Sequence, residues 1–350
     1  MEGTTKIWRD AEAGVAEAGA MLAAGGIVAF PTETVYGLGA DARNPVAVER
    51  VFAAKGRPSD NPLIVHIADR SGLEQLTLPA PATALRLMDR HWPGPLTLVL
   101  AVRPGAVAAR VTAGLDTVAV RMPAHGLARR LIAAAGCPIA APSANRSGRP
   151  SPTTAAHVRE DLDGRIDGLL DGGPAGVGLE STVVQVDEGG RIHILRPGGV
   201  TSSELAACGP LAEPEPAGSA EDETAAAAPR SPGVKYKHYA PSGAMRLVEG
   251  APDAVRARIQ QEVDEAARRG ARTGVLAFAE HAAHYRADLV LSCGSLSRLE
   301  EAASGLYAAL RAFDAQGVTA IWAEAAPRSG IGEALMNRLE KASGQPPLRV

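Results

Sequence analysis

Short apolar runs rich in β-branched residues constrain the fold of this chain more than any other feature. The runs at 63–67, 96–102, 117–121 and 181–186 are almost continuously apolar, as in strands covered on both faces. Similar runs lie at 27–30, 138–141 and 192–195. Stretches with helical spacing separate several of them, so the order predicts an α/β domain with a mixed sheet that ends near residue 205.

The chain changes character from about 209 to 230, where Pro, Glu, Ala and Gly dominate as in a linker. Beyond it, strand-like runs at 245–248, 273–278, 288–292 and 318–324 alternate with helical segments at 252–268, 297–313 and 331–342. This alternation is typical of a smaller Rossmann-like domain of about 100 residues. We therefore predict a catalytic domain at 10–207, a linker or lid at 208–243 and a second domain at 244–346.

Charge and cysteine content exclude several protein classes. The formal net charge of −3 offers no basic field for nucleic acid. Cys137, Cys208 and Cys293 lie far apart without a CxxC pair, which argues against a disulfide framework or a zinc site. No run approaches the ~20 apolar residues of a membrane span, and no leader pattern begins the chain. We expect a soluble, cytoplasmic protein with no disulfide partner and no membrane contact.

The loop 55–61, with sequence KGRPSDN, places two cations just after a segment that reads as a helix. Asn44 and Pro45 have the properties of an N-cap and a first helical residue, so we predict a helix that runs to about residue 54. Lys55 and Arg57 then follow at the mouth of a sheet, where phosphate oxygens are natural partners. A solvated turn is the alternative for this loop alone, but a second polar turn at 141–148 favours an anion site.

Two arginines close apolar strands, at a position where α/β sheets bind ligands. Arg121 follows the run 117–120 and Arg196 follows 192–195. A salt bridge at the rim of the sheet is the alternative for such an arginine. Hydroxyl groups in nearby turns complete a set suited to a polyphosphate beside a small carboxylate; they are Thr34, Ser143, Ser151 and Ser181.

Other motifs carry weaker signals. The chain has no GxxxxGK[ST] phosphate loop, and the glycine-rich segment 172–178 leads into a strand, which removes the dinucleotide-binding context. That segment is either a tight turn or a loop that approaches a small anion. His66 alternates with apolar neighbours and, taken alone, is typical of a satisfied core histidine. His281 and His284 have no acidic neighbour at metal spacing, so we interpret them as surface residues.

Four separated motifs resemble the YrdC/Sua5 family of threonylcarbamoyl-AMP synthases. They are FPTETVYGL at 30–38, the loop 55–61, PSAN at 142–145 and EST at 180–182. The segment SPGVKYKHYAP at 231–241 and the domain after it resemble the longer, Sua5-type members. The resemblance implies a YrdC-like twisted mixed sheet with helices, followed by a smaller Rossmann-like C-terminal domain.

The resemblance also implies a reaction and its residues. L-Threonine, bicarbonate or CO2, and ATP would give threonylcarbamoyl-AMP and pyrophosphate, for the threonylcarbamoyl-adenosine of tRNA. Mg2+ would come with ATP, and the product would pass to the tRNA threonylcarbamoyl transferase complex. The threonine pocket would comprise Thr34, His66, Arg121, Ala141 and Ser181. ATP would be held by Lys55, Arg57, Asn61, Thr117, Ser143, Ser151, Arg196 and Tyr236, with Lys55 and Arg57 as the catalytic cations.

This chemistry depends mostly on positioning and charge neutralisation. The threonine amine must be neutral to capture CO2, and the resulting carbamate attacks the α-phosphorus and expels pyrophosphate. The motifs identify no general base. Because the carbamate is labile in water, the site should close over it, and residues 235–238 of the linker are a plausible lid or, alternatively, part of a simple tether.

Two other functions remain as alternatives. A carbamoyl-transfer domain of the hydrogenase-maturation type shares the core fold, but it is expected to bring zinc-finger and acylphosphatase modules for which this chain lacks cysteines and length. A double-stranded RNA-binding module is disfavoured because the chain is net negative and has few aromatic residues for stacking.

Overall fold

The computed structural model describes residues 4–9, 12–58, 60–213 and 239–350. They form two compact units. The first contains the described residues up to 213, except Gly148–Ser151 and Gly176–Leu179, which group with residues 239–350 in the second. Tyr236 and the rest of the predicted lid at 235–238 lie outside the described residues.

The first unit contains a ten-stranded mixed sheet. Its spatial order is β1-β8-β2-β3-β7-β4-β6-β5-β9-β10. Parallel pairs such as β4 with β6 stand beside antiparallel pairs such as β5 with β6, which gives the mixed sheet that the apolar runs predict. The strands are β1 (Lys6–Arg9), β2 (Val28–Phe30), β3 (Gly37–Asp41), β4 (Ile64–His66), β5 (Leu96–Ala101), β6 (Thr117–Arg121), β7 (Ile139–Ala140), β8 (Gly168–Asp171), β9 (Thr182–Val186) and β10 (Ile192–Arg196).

Helices of the first unit connect these strands. They are α1 (Glu12–Ala23), α2 (Pro45–Lys55), α3 (Leu73–Leu76), α4 (Ala82–His91), α5 (Ala109–Thr112), α6 (Gly126–Ala135), α7 (Ala155–Leu162) and α8 (Ser202–Ala206). The predicted helix after Asn44 is confirmed, because the Asn44 side chain accepts hydrogen bonds from the N–H groups of Val46 and Ala47. The helix ends at Gly56, whose φ of 62° favours glycine, and this end fixes the position of Lys55 as the last helical residue.

Side-chain alternation divides the core of this sheet into layers. In β2 and β8, Val28 and Leu170 pack with α1 and α6, whereas Ala29 and Leu169 pack with α2 and α7. In the strands β4, β6, β5 and β9, one face belongs to the large core that includes α4. The opposite face carries a small apolar cluster made of strand residues, Ile64, Val99, Ala119 and Val183. We call this second surface the strand face.

The second unit contains a five-stranded, fully parallel sheet in the order β13-β12-β14-β11-β15. A parallel sheet with helical crossovers agrees with the Rossmann-like prediction. Its elements are β11 (Ala244–Glu249), α9 (Pro252–Arg268), β12 (Thr273–Ala277), β13 (Leu289–Ser292), α10 (Leu299–Ala315), β14 (Ala320–Glu324), α11 (Gly332–Ser343) and β15 (Leu348–Arg349). His284 is exposed, but His281 is half-buried and its Nδ1 lies 3.0 Å from the Glu324 carboxylate.

Two further properties concern the whole described chain. Cys137, Cys208 and Cys293 are buried free thiols. Among the helices that the structure describes, none combines the length and apolarity needed to cross a bilayer.

Candidate active site

Polar side chains interrupt the strand face at one end of β4, β5 and β6. His66, Thr97 and Arg121 follow the same alternation as the apolar residues Ile64, Val99 and Ala119. The register pairs Arg121 with His66 on one side and with Thr97 on the other. Because side chains two residues apart share a face, these three groups are neighbours on the strand face, next to its small apolar cluster.

Arg121 is the centre of this group. It is 3% exposed, and each nitrogen of its guanidinium has a contact. Nε donates to Gly94 O at 3.2 Å, Nη1 donates to Thr34 Oγ1 at 2.9 Å, and Nη2 lies 2.7 Å from Glu33 Oε1. Arg121 therefore does have a carboxylate partner, but the pair is buried and is not a rim salt bridge.

Several neighbours stabilise the ionised form of Glu33. Burial is the largest single effect and acts to raise the pKa of Glu33. The charge of Arg121 and the hydrogen bonds from Arg121 and from the backbone N–H groups of Ala124 and Glu33 together outweigh burial, so the pKa lies below its ordinary value. The turn that presents it is held by Thr32, whose Oγ1 donates to Val35 O at 2.7 Å and lies 2.8 Å from Thr34 Oγ1. The segment after β2 thus presents a carboxylate and a hydroxyl to the same guanidinium.

Ser181 connects a second arginine to this end of the sheet. Its Oγ lies 2.7 Å from Thr97 Oγ1, and both hydroxyls are buried. Arg196 donates to Ser181 O from Nε at 3.2 Å and from Nη2 at 2.9 Å. Arg196, predicted to bind ATP, and Ser181, predicted to bind threonine, are therefore direct neighbours.

Lys55 lies in a different group of residues. The residue is 4% exposed, and its ammonium donates to Ser143 O at 2.5 Å and to Asn145 O at 2.6 Å. Since an ammonium has three donors and no acceptor, Lys55 joins the end of α2 to the polar turn after β7. The structure thus brings together the two loops that the sequence predicts to form one anion site.

Arg57 and Asn61 complete the second group. Arg57 is half-buried and donates to Asn61 O at 3.3 Å and to Pro62 O at 3.0 Å. The Asn61 side chain is fully buried, yet among the described residues neither its amide nitrogen nor its oxygen has a hydrogen-bond partner. A buried amide of this kind is costly unless a ligand satisfies it.

The two groups lie at opposite ends of the same strands. The loop 55–61 leads into the beginning of β4, whereas His66 and Arg121 lie where β4 and β6 end. Thr117 begins β6 on the same face as Arg121, four residues away, which corresponds to about 13 Å along a strand. Ala141 N donates to Ile64 O at 2.9 Å, so Ala141 lies where β4 begins, at the end that the loop 55–61 leads into. Ser151 is buried and belongs to the second unit.

Comparisons with known proteins identify the family. Residues 20–198 match the family model described as telomere recombination, named for Sua5, YciO and YrdC, and residues 200–344 match the model of the threonylcarbamoyl-AMP synthase C-terminal domain. A threonylcarbamoyl-AMP synthase of Bacillus subtilis is 53% identical over 94% of this chain and 93% of its own length. The chain belongs to the YrdC/Sua5 family. A Pyrococcus abyssi member named threonylcarbamoyl-AMP synthase is 48% identical, with 91% of each chain covered.

A solved YrdC/Sua5 structure supports the same assignment. The crystal structure of P. abyssi Sua5 complexed with L-threonine has a TM-score of 0.91, 44% sequence identity, and coverage of 99% of this chain and 100% of that one. The predicted fold, a mixed sheet with helices followed by a smaller parallel-sheet domain, is confirmed for this family member. The individual roles of the predicted site residues stay predictions.

The sequence motifs predicted no role for two residues that contact the predicted threonine ligands. Glu33 carries the carboxylate that contacts Arg121, and Thr97 supplies the hydroxyl next to Ser181. A signal for Glu33 was available, because it is the only charged residue between 18 and 40, beside an apolar strand. Thr97 gave no signal, since one threonine within an apolar run is ordinary in a strand.

The buried histidine makes a testable contribution to stability. Burial and then the charge of Arg121 lower the pKa of His66 from 6.5 to about 3. The unfolded chain therefore binds one more proton between these two values, so stability is full above pH 6.5 and falls as the pH drops below it. We expect about 2 kcal/mol of the unfolding free energy to be lost between pH 7 and pH 5 through this group.

Denaturant unfolding at several pH values checks this expectation. His66→Gln removes the titrating group, so its unfolding free energy should fall less steeply over the same interval than that of the wild type. A comparison of slopes is required, because the substitution also shifts the absolute stability. Parallel slopes for the two proteins would mean that His66 is not kept neutral by burial.

Proposed function

We propose that this chain is an L-threonylcarbamoyladenylate synthase of the nucleotidyltransferase class. It joins L-threonine, bicarbonate or CO2, and ATP into threonylcarbamoyl-AMP and pyrophosphate, for the threonylcarbamoyl-adenosine modification of tRNA. Family membership supports this reaction, and the relatives' names state the same product. The P. abyssi relative is described as a complex with L-threonine, which supports threonine as the amino acid.

One structural observation carries the proposal. A buried guanidinium, Arg121, and a buried ammonium, Lys55, lie at the two ends of a pair of adjacent strands. The length of β6, about 13 Å, suits a substrate with a carboxylate at one end and phosphates at the other. Each cation has named hydrogen bonds that hold it in place, so the charges are preorganised.

The residues suggest how the steps are divided. Arg121 binds the threonine carboxylate, and Thr34 and His66 lie beside it to contact the rest of the amino acid. After the neutral amine has taken up CO2 and released one proton to the solvent, the carbamate oxygen attacks the α-phosphorus and the bond between the α-phosphorus and the pyrophosphate oxygen breaks. Lys55 and Arg57 neutralise the phosphate charge that develops in this step, and the Asn61 amide is available to a phosphate or ribose oxygen.

Mg2+ enters this proposal as part of the nucleotide substrate. Within the described residues, no group of three or more His, Cys, Asp or Glu side chains could hold a metal ion. Magnesium is commonly bound through substrate phosphates and water with few protein ligands, and we propose that Mg2+ arrives with ATP in this way. We further propose a cytoplasmic protein that passes its product to the tRNA threonylcarbamoyl transferase complex.

Pyrophosphate release with each substrate omitted in turn tests the proposed function. We expect release when L-threonine, bicarbonate and Mg-ATP are all present, and loss of release when any one is left out. Mass spectrometry should detect threonylcarbamoyl-AMP in the complete mixture. Release that is indifferent to threonine would reject the proposal, and L-serine in place of L-threonine reports how far the methyl group is recognised.

A further inference from the structure

Glu33 is a carboxylate in direct contact with a predicted threonine ligand, Arg121. Its Oε1 lies 2.7 Å from Arg121, it precedes Thr34 in the chain, and its charge acts on His66 to raise the pKa of that imidazole. Arg121, Thr34 and His66 each have a predicted role in threonine binding, whereas Glu33, which interacts with them or adjoins them, has no predicted role.

The carboxylate has capacity for a further donor. Both Glu33 oxygens are buried, and Arg121 together with the backbone N–H groups of Ala124 and of Glu33 itself supplies the donors that lower its pKa. An ionised carboxylate offers about four acceptor positions, so these three donors leave capacity for one more. The side chain as a whole is 15% exposed, although its two oxygens are covered.

Arg121 also keeps donors for a ligand. A guanidinium has five N–H groups, and the contacts to Gly94, Thr34 and Glu33 engage one N–H on each of its three nitrogens. Each terminal nitrogen therefore retains a second N–H within the described structure. Arg121 can bind a carboxylate without releasing Glu33.

We propose that Glu33 binds the α-amino group of the amino-acid substrate, so that Arg121 and Glu33 together form a receptor for its zwitterion. This inference rests on the proposed function. At neutral pH an amino acid carries one carboxylate and one ammonium, and the pair offers one cation and one carboxylate side by side. Two opposite protein charges also keep the local net charge near zero before and after the zwitterion binds.

Glu33 is a positioning residue in this scheme. The substrate nitrogen carries at least one N–H as an ammonium, as a neutral amine and as the carbamate, and a carboxylate accepts from all three. Glu33 thereby fixes the orientation of the substrate nitrogen in its neutral amine form. Its pKa lies below the ordinary value, so it serves as an acceptor and we assign it no proton transfer.

Calorimetric titration with two ligands tests the receptor. The ligands are L-threonine and (R)-3-hydroxybutyrate, which is the same molecule without the amino group. In Glu33→Gln we expect the dissociation constant of L-threonine to rise by about 10- to 100-fold, as for the loss of a hydrogen bond to a charged group. The dissociation constant of 3-hydroxybutyrate should change by less than about threefold, because its contacts use Arg121 and not Glu33.

The exposed Glu17 provides a matched control. It also forms an ion pair, with Lys6, but its side chain is 54% exposed, so Glu17→Gln should leave both affinities unchanged. Equal weakening of both ligands in Glu33→Gln would assign Glu33 the structural role of holding Arg121. Equal tightening would mean that Glu33 competes with the substrate carboxylate. Either result overturns the inference.

The same titration separates this inference from the proposed function. If the wild-type protein binds no L-threonine and shows no threonine-dependent pyrophosphate release, the proposed function itself fails. If the wild type binds and turns over threonine while Glu33→Gln keeps its preference for threonine over 3-hydroxybutyrate, the zwitterion receptor alone fails. Circular dichroism and a cooperative thermal transition confirm that Glu33→Gln is folded in each case, with a lower midpoint because the buried Arg121 loses its ion-pair partner.

Discussion

Arg121→Gln is expected to abolish threonine-dependent pyrophosphate release and to lower the unfolding free energy by about 3–5 kcal/mol. Activity is lost because the substrate carboxylate has no guanidinium to bind. Stability is lost because the buried Glu33 carboxylate no longer has its ion-pair partner, and a buried charge without a partner is strongly unfavourable. Denaturant unfolding followed by tryptophan fluorescence, with the pyrophosphate assay on the same samples, measures both effects.

The double variant Arg121→Gln/Glu33→Gln separates them. Removal of both charges leaves two neutral amides, so most of the lost stability should return. Activity should not return, since neither end of the zwitterion is recognised. If the double variant is as unstable as Arg121→Gln, the pair does not behave as coupled charges. If it regains threonine-dependent turnover, Arg121 is not the carboxylate ligand.

The sequence predicts the fold where local signals and burial agree. Asn44 and Pro45 mark the beginning of α2 because both act within one turn, independently of distant contacts. Continuous apolar runs predict β5, β6 and β9 because these strands are buried on both faces. The short strand β3, with sequence GLGAD, escapes because its two glycines weaken any strand signal.

The candidate site is harder to predict because its geometry depends on strand register. The sequence places Lys55, Arg57, Arg121 and Arg196 at strand ends or adjoining loops of one sheet, but it cannot state which end. Lys55 lies where β4 begins and Arg121 where the parallel strand β6 ends, and this follows from pairing between residues more than fifty apart. The partner of Arg121 is likewise distant, since Glu33 lies 88 residues earlier in the chain.

The second unit gives a parallel example. His281 and His284 are three residues apart and look equivalent in the sequence, but only His281 lies near a buried acid. Glu324 accepts from Phe278 N at 2.9 Å and from Tyr285 OH at 2.6 Å, and it contacts His281. The strand β14 brings this glutamate alongside the end of β12, and no local pattern around His281 contains that information.

Arg57→Ala is expected to lower kcat by about 10²- to 10³-fold while the protein remains folded. Arg57 is half-buried in the loop before β4, two residues after Lys55, where we predict that its charge contacts the triphosphate. Its contacts include two backbone carbonyls and the face of Phe52, with Cζ 6.0 Å from the ring centroid. Loss of such contacts costs about 1–2 kcal/mol, which a folded domain tolerates.

Arg110 supplies a control that shares the same aromatic ring. Its Cζ lies 5.3 Å from the Phe52 centroid, and it forms an exposed ion pair with Glu49. Arg110→Ala therefore removes a comparable cation–π contact, but it removes no charge from the residues that are predicted to bind phosphate. We expect its activity to stay near that of the wild type and its thermal midpoint to fall about as much as that of Arg57→Ala. Equal activities for the two variants would remove Arg57 from the reaction, and unfolding of Arg57→Ala alone would make it a structural cation.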